Sequence, residues 1–269
     1  MKKSALAAML IAALPALSQI NQAQRNQDRG MTCNDNNNGR QIRHCEIREQ
    51  STGFPGRLTV DAGVNGGVSV KGWDQAGMLV RSKVEAWAGD ENTAKSLVSQ
   101  VQVAISAGQV NASGPAEVNR QGWSVSYEIF VPRNGDLNLK AHNGGISISD
   151  VRGNIQFDTM NGGVSLKRLG GNVEGKTMNG GLSIELAGNR WDGTRLDART
   201  TNGGVNIAMP ENYSAHFESS TVNGHVNLGI PMTVRGELSR SITTDLGAGG
   251  PTIHVETMNG GVNIKRAAL

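Results

Sequence analysis

Asn-Gly-Gly, or a near copy of it, recurs seven times along this chain, beginning at Asn65, Asn143, Asn161, Asn179, Asn202, Asn223 and Asn259. Each copy continues into an aliphatic residue, a Ser or Asn, and a second aliphatic, as in Val164-Ser165-Leu166 and Val262-Asn263-Ile264. Five copies also carry Thr two residues before the Asn: Thr159, Thr177, Thr200, Thr221 and Thr257. Gly accepts positive φ, and Asn tolerates the left-handed region better than most residues, so the triplet reads as a chain reversal. The aliphatic–polar–aliphatic run has the period of a strand with one buried face. The same alternation precedes the turn, as in Ile155, Phe157 and Thr159. Each unit is therefore strand, Asn-Gly turn, strand.

Two architectures accommodate such a unit. Asn-Gly between alternating hydrophobics is a hairpin signal, which gives an antiparallel meander. Alternatively, each unit is one rung of a parallel solenoid. The spacings between the central Asn residues, 18, 18, 23 and 21, fit one supersecondary unit per repeat. Reuse of the same residues at the same positions favours the solenoid, because stacked Asn side chains can form a hydrogen-bonded ladder. About eight rungs at about 4.8 Å would make a stack near 40 Å long. The 36 glycines lack a three-residue period, which excludes collagen, and aromatics are only 4%. The fold class expected is all-β, with a small α/β cap near the N-terminus.

That cap comes from residues 71–136, which break the pattern. Val80, Ser82, Val84 and Ala86 alternate with charged residues and Trp87, as in a strand with one solvent face. Asp90 is a good N-cap, and Ala94, Leu97, Val98 and Val101 have helical spacing, which predicts a helix over 91–100. Further strands are expected at 101–105 and 123–131. The C-terminal strand is guarded only by Lys265 and Arg266, so its edge is expected to be open to a partner or to a second copy.

The N-terminus reads as an export signal. Lys2 and Lys3 precede an apolar run from Ala5 to Leu17, and Ala16 and Ser18 supply small residues for a cut after 18, with Ala23 as a second cut point. The run is shorter than the roughly 20 residues of a membrane span. Loss of Lys2 and Lys3 lowers the formal charge from +3 to +1, which gives little steering toward nucleic acid. In an oxidising compartment Cys33 and Cys45, the two cysteines of the chain, are expected to pair. The chain then divides into a signal peptide (1–18), an arm holding that disulfide (19–55), the first repeat with the helix-containing cap (56–136) and the β-repeat solenoid (137–266). The mature protein is expected in the periplasm, on the cell surface or secreted.

The series from Thr159-Met160-Asn161-Gly162-Gly163 to Thr257-Met258-Asn259-Gly260-Gly261, with a strand ending in Phe130-Val131-Pro132, resembles the bacterial putative-adhesin family of β-strand-repeat proteins. The resemblance covers residues 56–266. It implies a right-handed β-helix-like stack in an exported or envelope protein, with no catalytic residues to carry over. The sequence departs from the pattern at His225, which stands in place of Gly, and in the 36-residue step from Asn223 to Asn259.

Chemistry is sparse. Asp158, Glu174, Glu185, Asp197 and Glu256 read as scattered over different unit positions, although Asp158 and Glu256 share one with Lys176, Arg199 and Ser220. Sugar-bond cleavage needs two carboxylates converging on one bond. No nucleophile elbow, zinc-protease or P-loop motif is present. No enzyme activity, cofactor or metal is expected, and His216 and His225 are read as a surface pair in adjacent rungs. Two features could bind: Trp87, on the polar face of its strand unless the helix covers it, and an outward row of Ser69, Ser147, Ser165, Ser183, Asn206, Asn227 and Asn263. The function expected is a non-catalytic envelope or surface repeat protein, adhesin-like as a binding or structural scaffold, with a protein or glycan partner. The alternatives are a periplasmic regulatory or stress-response component docking on another envelope protein, and a polysaccharide-active β-helix enzyme.

Overall fold

The repeated unit builds two sheets at once. In the unit over 152–167, β10 (Arg152–Thr159) buries Ile155, Phe157 and Thr159, the chain turns at Asn161-Gly162-Gly163, and β11 (Val164–Lys167) buries Val164 and Leu166. Burying one such side chain contributes roughly 1.5–3 kcal/mol. The strand before the turn joins sheet B and the strand after it joins sheet A. β10 pairs in parallel with β8 (Asp136–Ala141) and β12 (Gly170–Asn179), and β11 with β9 (Ile146–Ser149) and β13 (Leu182–Glu185). These pairings are those of a stacked coil and exclude a hairpin meander for the repeats. The computed structural model describes residues 30–33, 41–118, 120–229 and 240–267. The expected signal peptide and both of its cut points lie outside the described residues.

The corner geometry differs from the turn read in the sequence. No corner Asn has positive φ, and of the corner glycines only Gly260 does, at +159°, which is nearly extended. Glycine is needed for close approach instead. A Cβ on Gly162 would fall 2.1 Å from the Gly144 carbonyl oxygen one rung away, and one on Gly180 2.1 Å from that of Gly162. The same carbonyls accept the buried threonine hydroxyls: Thr159 Oγ1 donates to Gly144 O at 2.8 Å, and Thr177 Oγ1 to Gly162 O at 2.8 Å. The repeated Thr thus satisfies a carbonyl enclosed between rungs.

Rung order departs from chain order at both ends. After β14 (Gly193–Asn202) and β15 (Val205–Met209), the chain makes β16 (Ala215–Asn223) and β17 (Val226–Leu228), then β18 (Ser241–Leu246), and finally β19 (Thr252–Asn259) and β20 (Val262–Arg266). β19 lies between β14 and β16, and β20 between β15 and β17. The expected open C-terminal edge is therefore not there: β20 is paired on both sides. The long step between Asn223 and Asn259 lets the chain lay β18 antiparallel on β16 and return to an interior slot. At the other end, β2 (Arg57–Asp61) and β3 (Val68–Trp73) form the rung next to β8 and β9. β6 (Gln109–Ser113) and β7 (Gly122–Pro132) stack outside that rung, followed by the antiparallel strands β5 (Gln102–Ser106) on β6, and β4 (Gly77–Ala88) and β1 (Ile42–Gly53) beyond β7.

Helix α1 (Glu91–Gln100) packs Ala94 and Val98 into the core. Asp90 Oδ1 accepts from the Thr93 N–H at 2.9 Å, and the Arg48 guanidinium donates to the Val98 and Val101 carbonyls at 2.9 and 2.6 Å, so both helix ends have partners. Cys33 and Cys45 are disulfide-bonded, which ties residue 33 to β1. Among the described residues no helix is long and apolar enough to cross a membrane.

Candidate functional site

Register places the outward Ser and Asn residues in one line along sheet A. In spatial order they run Ser69, Ser147, Ser165, Ser183, Asn206, Asn263 and Asn227, each paired with the next. Ser69, Ser147 and Ser165 are half-buried, and the other four are exposed. At the amide end Asn227 Nδ2 donates to Asn263 Oδ1 at 2.9 Å, and Asn263 Nδ2 to Asn206 Oδ1 at 3.3 Å. The line presents neutral donors and acceptors at the strand spacing of about 4.8 Å. The neighbouring line on the same face carries Lys71, Ser149, Lys167, Glu185, Ala208 and Lys265.

The corner asparagines form a second line. Nδ2-to-Oδ1 bonds of 2.7–3.1 Å join Asn65, Asn143, Asn161, Asn179, Asn202, Asn259 and Asn223 in that spatial order. Every member is engaged, so this line is a structural feature more than a docking face.

Trp87 stands on the outer face of β4. α1 lies on the opposite face, where Met78, Val80, Val84 and Ala86 share the core with Val98. The helix therefore does not cover the indole. Arg43 instead places its guanidinium 5.8 Å from the ring centroid, and Trp87 is paired with Gly122, whose missing Cβ leaves room for the ring. The half-buried indole is thus occupied by its own neighbours.

Of the five carboxylates read as scattered, Glu185 lies on sheet A, while sheet B carries the other four, Asp158 and Glu256 on one register position and Glu174 and Asp197 on another, which corrects the scatter for that second pair. Glu174 and Asp197 share a register position with each other, with His254 and with Glu218. Glu174 and Asp197, with Asp158, Lys176, Arg199 and Lys140, line an open groove of about 450 Å³. Asp197 is only 3% exposed. Burial by itself would raise its pKa, but hydrogen bonds from Arg199 and His254 prevail and hold the carboxyl below the ordinary range. Arg195 donates to it as well. A carboxylate held ionised in this way is a charge anchor for its strand and is unsuited to proton donation. His216 and His225 do not form a pair: His216 begins β16, bonded to Asp245 at 2.7 Å, whereas His225 lies beyond its far end. The seven intervening strand residues span about 23 Å.

The model of the Toastrack DUF4097 family matches residues 55–265. No curated protein matches the chain. Among solved structures, the chain is similar to one described as a putative cell adhesion protein from Clostridium sporogenes, with a TM-score of 0.46 and 11% identity over 83% of this chain and 100% of that one. It is also similar to putative adhesins from Bacteroides fragilis (TM-score 0.35, 12% identity, 83% and 97% covered) and Parabacteroides merdae (0.36, 12%, 84% and 97%). With the family model spanning the stack from its first rung to its last strand, the chain belongs to the Toastrack DUF4097 family.

Proposed function

We propose that the mature chain is a non-catalytic scaffold of the cell envelope that binds a glycan or a protein through the outer face of sheet A. The observation that carries this reading is the unbroken line from Ser69 to Asn227, seven small neutral polar side chains in register over seven rungs. A rigid row of this kind offers many weak hydrogen bonds at fixed spacing, which suits an extended ligand. The Cys33–Cys45 disulfide fits an oxidising compartment outside the cytoplasm. A glycan and extracellular-protein binding screen on the mature chain tests the proposal. A specific binder should lose at least tenfold in affinity when Ser165, Ser183 and Asn206 are replaced by Arg, with the melting temperature preserved. Unchanged binding in that variant would remove the sheet A face from consideration.

A second reading has one observation behind it, the sheet B groove with Asp158 and Glu174 on its wall. In a polysaccharide-cleaving protein these two would be the reacting carboxylates, since Asp197 is buried and its oxygens are already engaged by Arg195, Arg199 and His254. Turnover of a cell-wall or plant polysaccharide that disappears in Asp158→Asn or Glu174→Gln would favour this reading over the scaffold.

A further inference from the structure

One row of side chains belongs neither to the core nor to the sheet A line. His142, Met160 and Met178 each stand just before a corner Asn, on three consecutive rungs. The Asn161 N–H donates to the His142 carbonyl, and the Asn179 N–H to the Met160 carbonyl, each at 2.7 Å. The Asn ladder bonds that follow, at 2.7 and 2.8 Å, hold the same register. Met160 is 39% exposed and Met178 49%, so packing alone does not account for thioethers here. Both line a single groove of about 440 Å³, which reaches on past Thr201 to Met258, while His142 stands one rung beyond its Met160 end. The charged residues of that groove, Asp158 and Glu256 with Lys176 and Arg199, balance in sign. Net charge therefore neither gathers nor repels an ion, and the donor atoms decide what binds.

Thioether sulfur is a soft donor that selects Cu(I)-like ions, and imidazole also suits copper. Adjacent rungs are about 4.8 Å apart, close to twice a metal–sulfur bond of about 2.3 Å, taking the zinc–thiolate length as a guide. One ion can therefore sit between the sulfurs of neighbouring rungs. The three rotatable bonds of Met let both side chains close on it without backbone movement. Met258 is excluded from the same ion, because the Thr201 rung separates it from Met178. We propose that His142, Met160 and Met178 form a surface site for a soft monovalent cation, Cu(I) or Ag(I), with the two sulfurs as principal ligands and the imidazole as the third.

Ag(I) is the practical probe, because it needs no reductant and leaves the disulfide intact. Calorimetric titration of the mature protein in chloride-free buffer should show one equivalent bound. Met160→Leu/Met178→Leu should lose at least tenfold in affinity and His142→Gln a smaller factor, while Met258→Leu binds as wild type. These volume-conserving changes on the surface should leave the melting temperature in place. No Ag(I) bound by the wild type, equal binding by the double variant, or an equal loss in Met258→Leu would each overturn the site.

Discussion

Gly162 and Gly163 are neighbours in one corner, yet a side chain would meet different surroundings at each. A Cβ on Gly162 would strike the Gly144 carbonyl at 2.1 Å, whereas one on Gly163 would find its nearest atom at 3.6 Å, an ordinary contact. The single exception to the triplet obeys this asymmetry: His225 occupies the second, roomy position, and Gly224 keeps the first, where a Cβ would lie 2.0 Å from Gly260 O. Gly162→Ala should therefore cost roughly 3 kcal/mol or more, and Gly163→Ala less than about 1 kcal/mol, in urea unfolding. Asn179→Leu removes two ladder bonds, to Asn161 and from Asn202, each at 2.8 Å. At about 0.5–1.5 kcal/mol for each bond, a loss of roughly 1–3 kcal/mol is expected. An unchanged melting temperature would mean that the ladder bonds do not hold the rungs in register. The triplet was visible in the sequence, but its reason was not. Positive φ is a property of one residue, while the carbonyl that forbids a Cβ on Gly162 belongs to a rung 18 positions earlier.

One contact between β18 and β16 titrates near neutral pH, that of His216 with Asp245. His216 on β16 bonds Asp245 on β18 at 2.7 Å, with Glu218 of its own strand at 3.3 Å, so β18 is held to β16 by a side-chain contact as well as by its antiparallel ladder. The hydrogen bond to Asp245 raises the His216 pKa above its ordinary value, with Glu218 adding to the effect. A raised folded-state pKa means that the contact contributes fully below the unfolded value, about 6.5, and is lost as pH rises through the folded one. The melting-temperature difference between wild type and His216→Gln should therefore be largest near pH 5.5 and shrink toward pH 8.5. A difference that is constant with pH would remove His216 from the attachment of β18. Elements with a complete local signal were legible: Asp90 followed by the Ala94–Val98 spacing marked the helix that runs Glu91–Gln100, and the alternation from Val125 to Val131 marked β7. The line shared by Glu174 and Asp197 was legible too, since each stands five residues before its corner Asn; the five extra residues of the 23-residue step between Asn179 and Asn202 all precede Asp197 and leave that register untouched. Part of that step is the loop whose Trp191 is buried and donates to Gly171 O at 3.0 Å.

At the level of the whole stack, interchangeable rungs decouple spatial order from chain order. Thr200, Thr221 and Thr257 all donate to a corner glycine carbonyl in the adjacent rung, and Leu196, Ile253 and Phe217 occupy one register line. Any of these rungs presents nearly the same upper and lower surface, so local sequence specifies that a rung forms without specifying its neighbour. The neighbour is set by the connections. The short link from β15 to β16 and the long passage that includes β18 let the final strands enter between two rungs made earlier in the chain. Cysteine cross-linking on sheet A tests this order. Asn206 is paired with Asn263, and Asn263 with Asn227. Cα atoms one rung apart, about 4.8 Å, lie within the disulfide range of about 4.4–6.8 Å. Two rungs apart, at about 9.6 Å, they exceed the limit of about 7 Å. Asn206→Cys/Asn263→Cys should therefore oxidise to a cross-linked chain, and Asn206→Cys/Asn227→Cys should keep free thiols. A coil that simply followed the sequence would place the Asn227 rung directly on the Asn206 rung, and the two variants would then behave the opposite way.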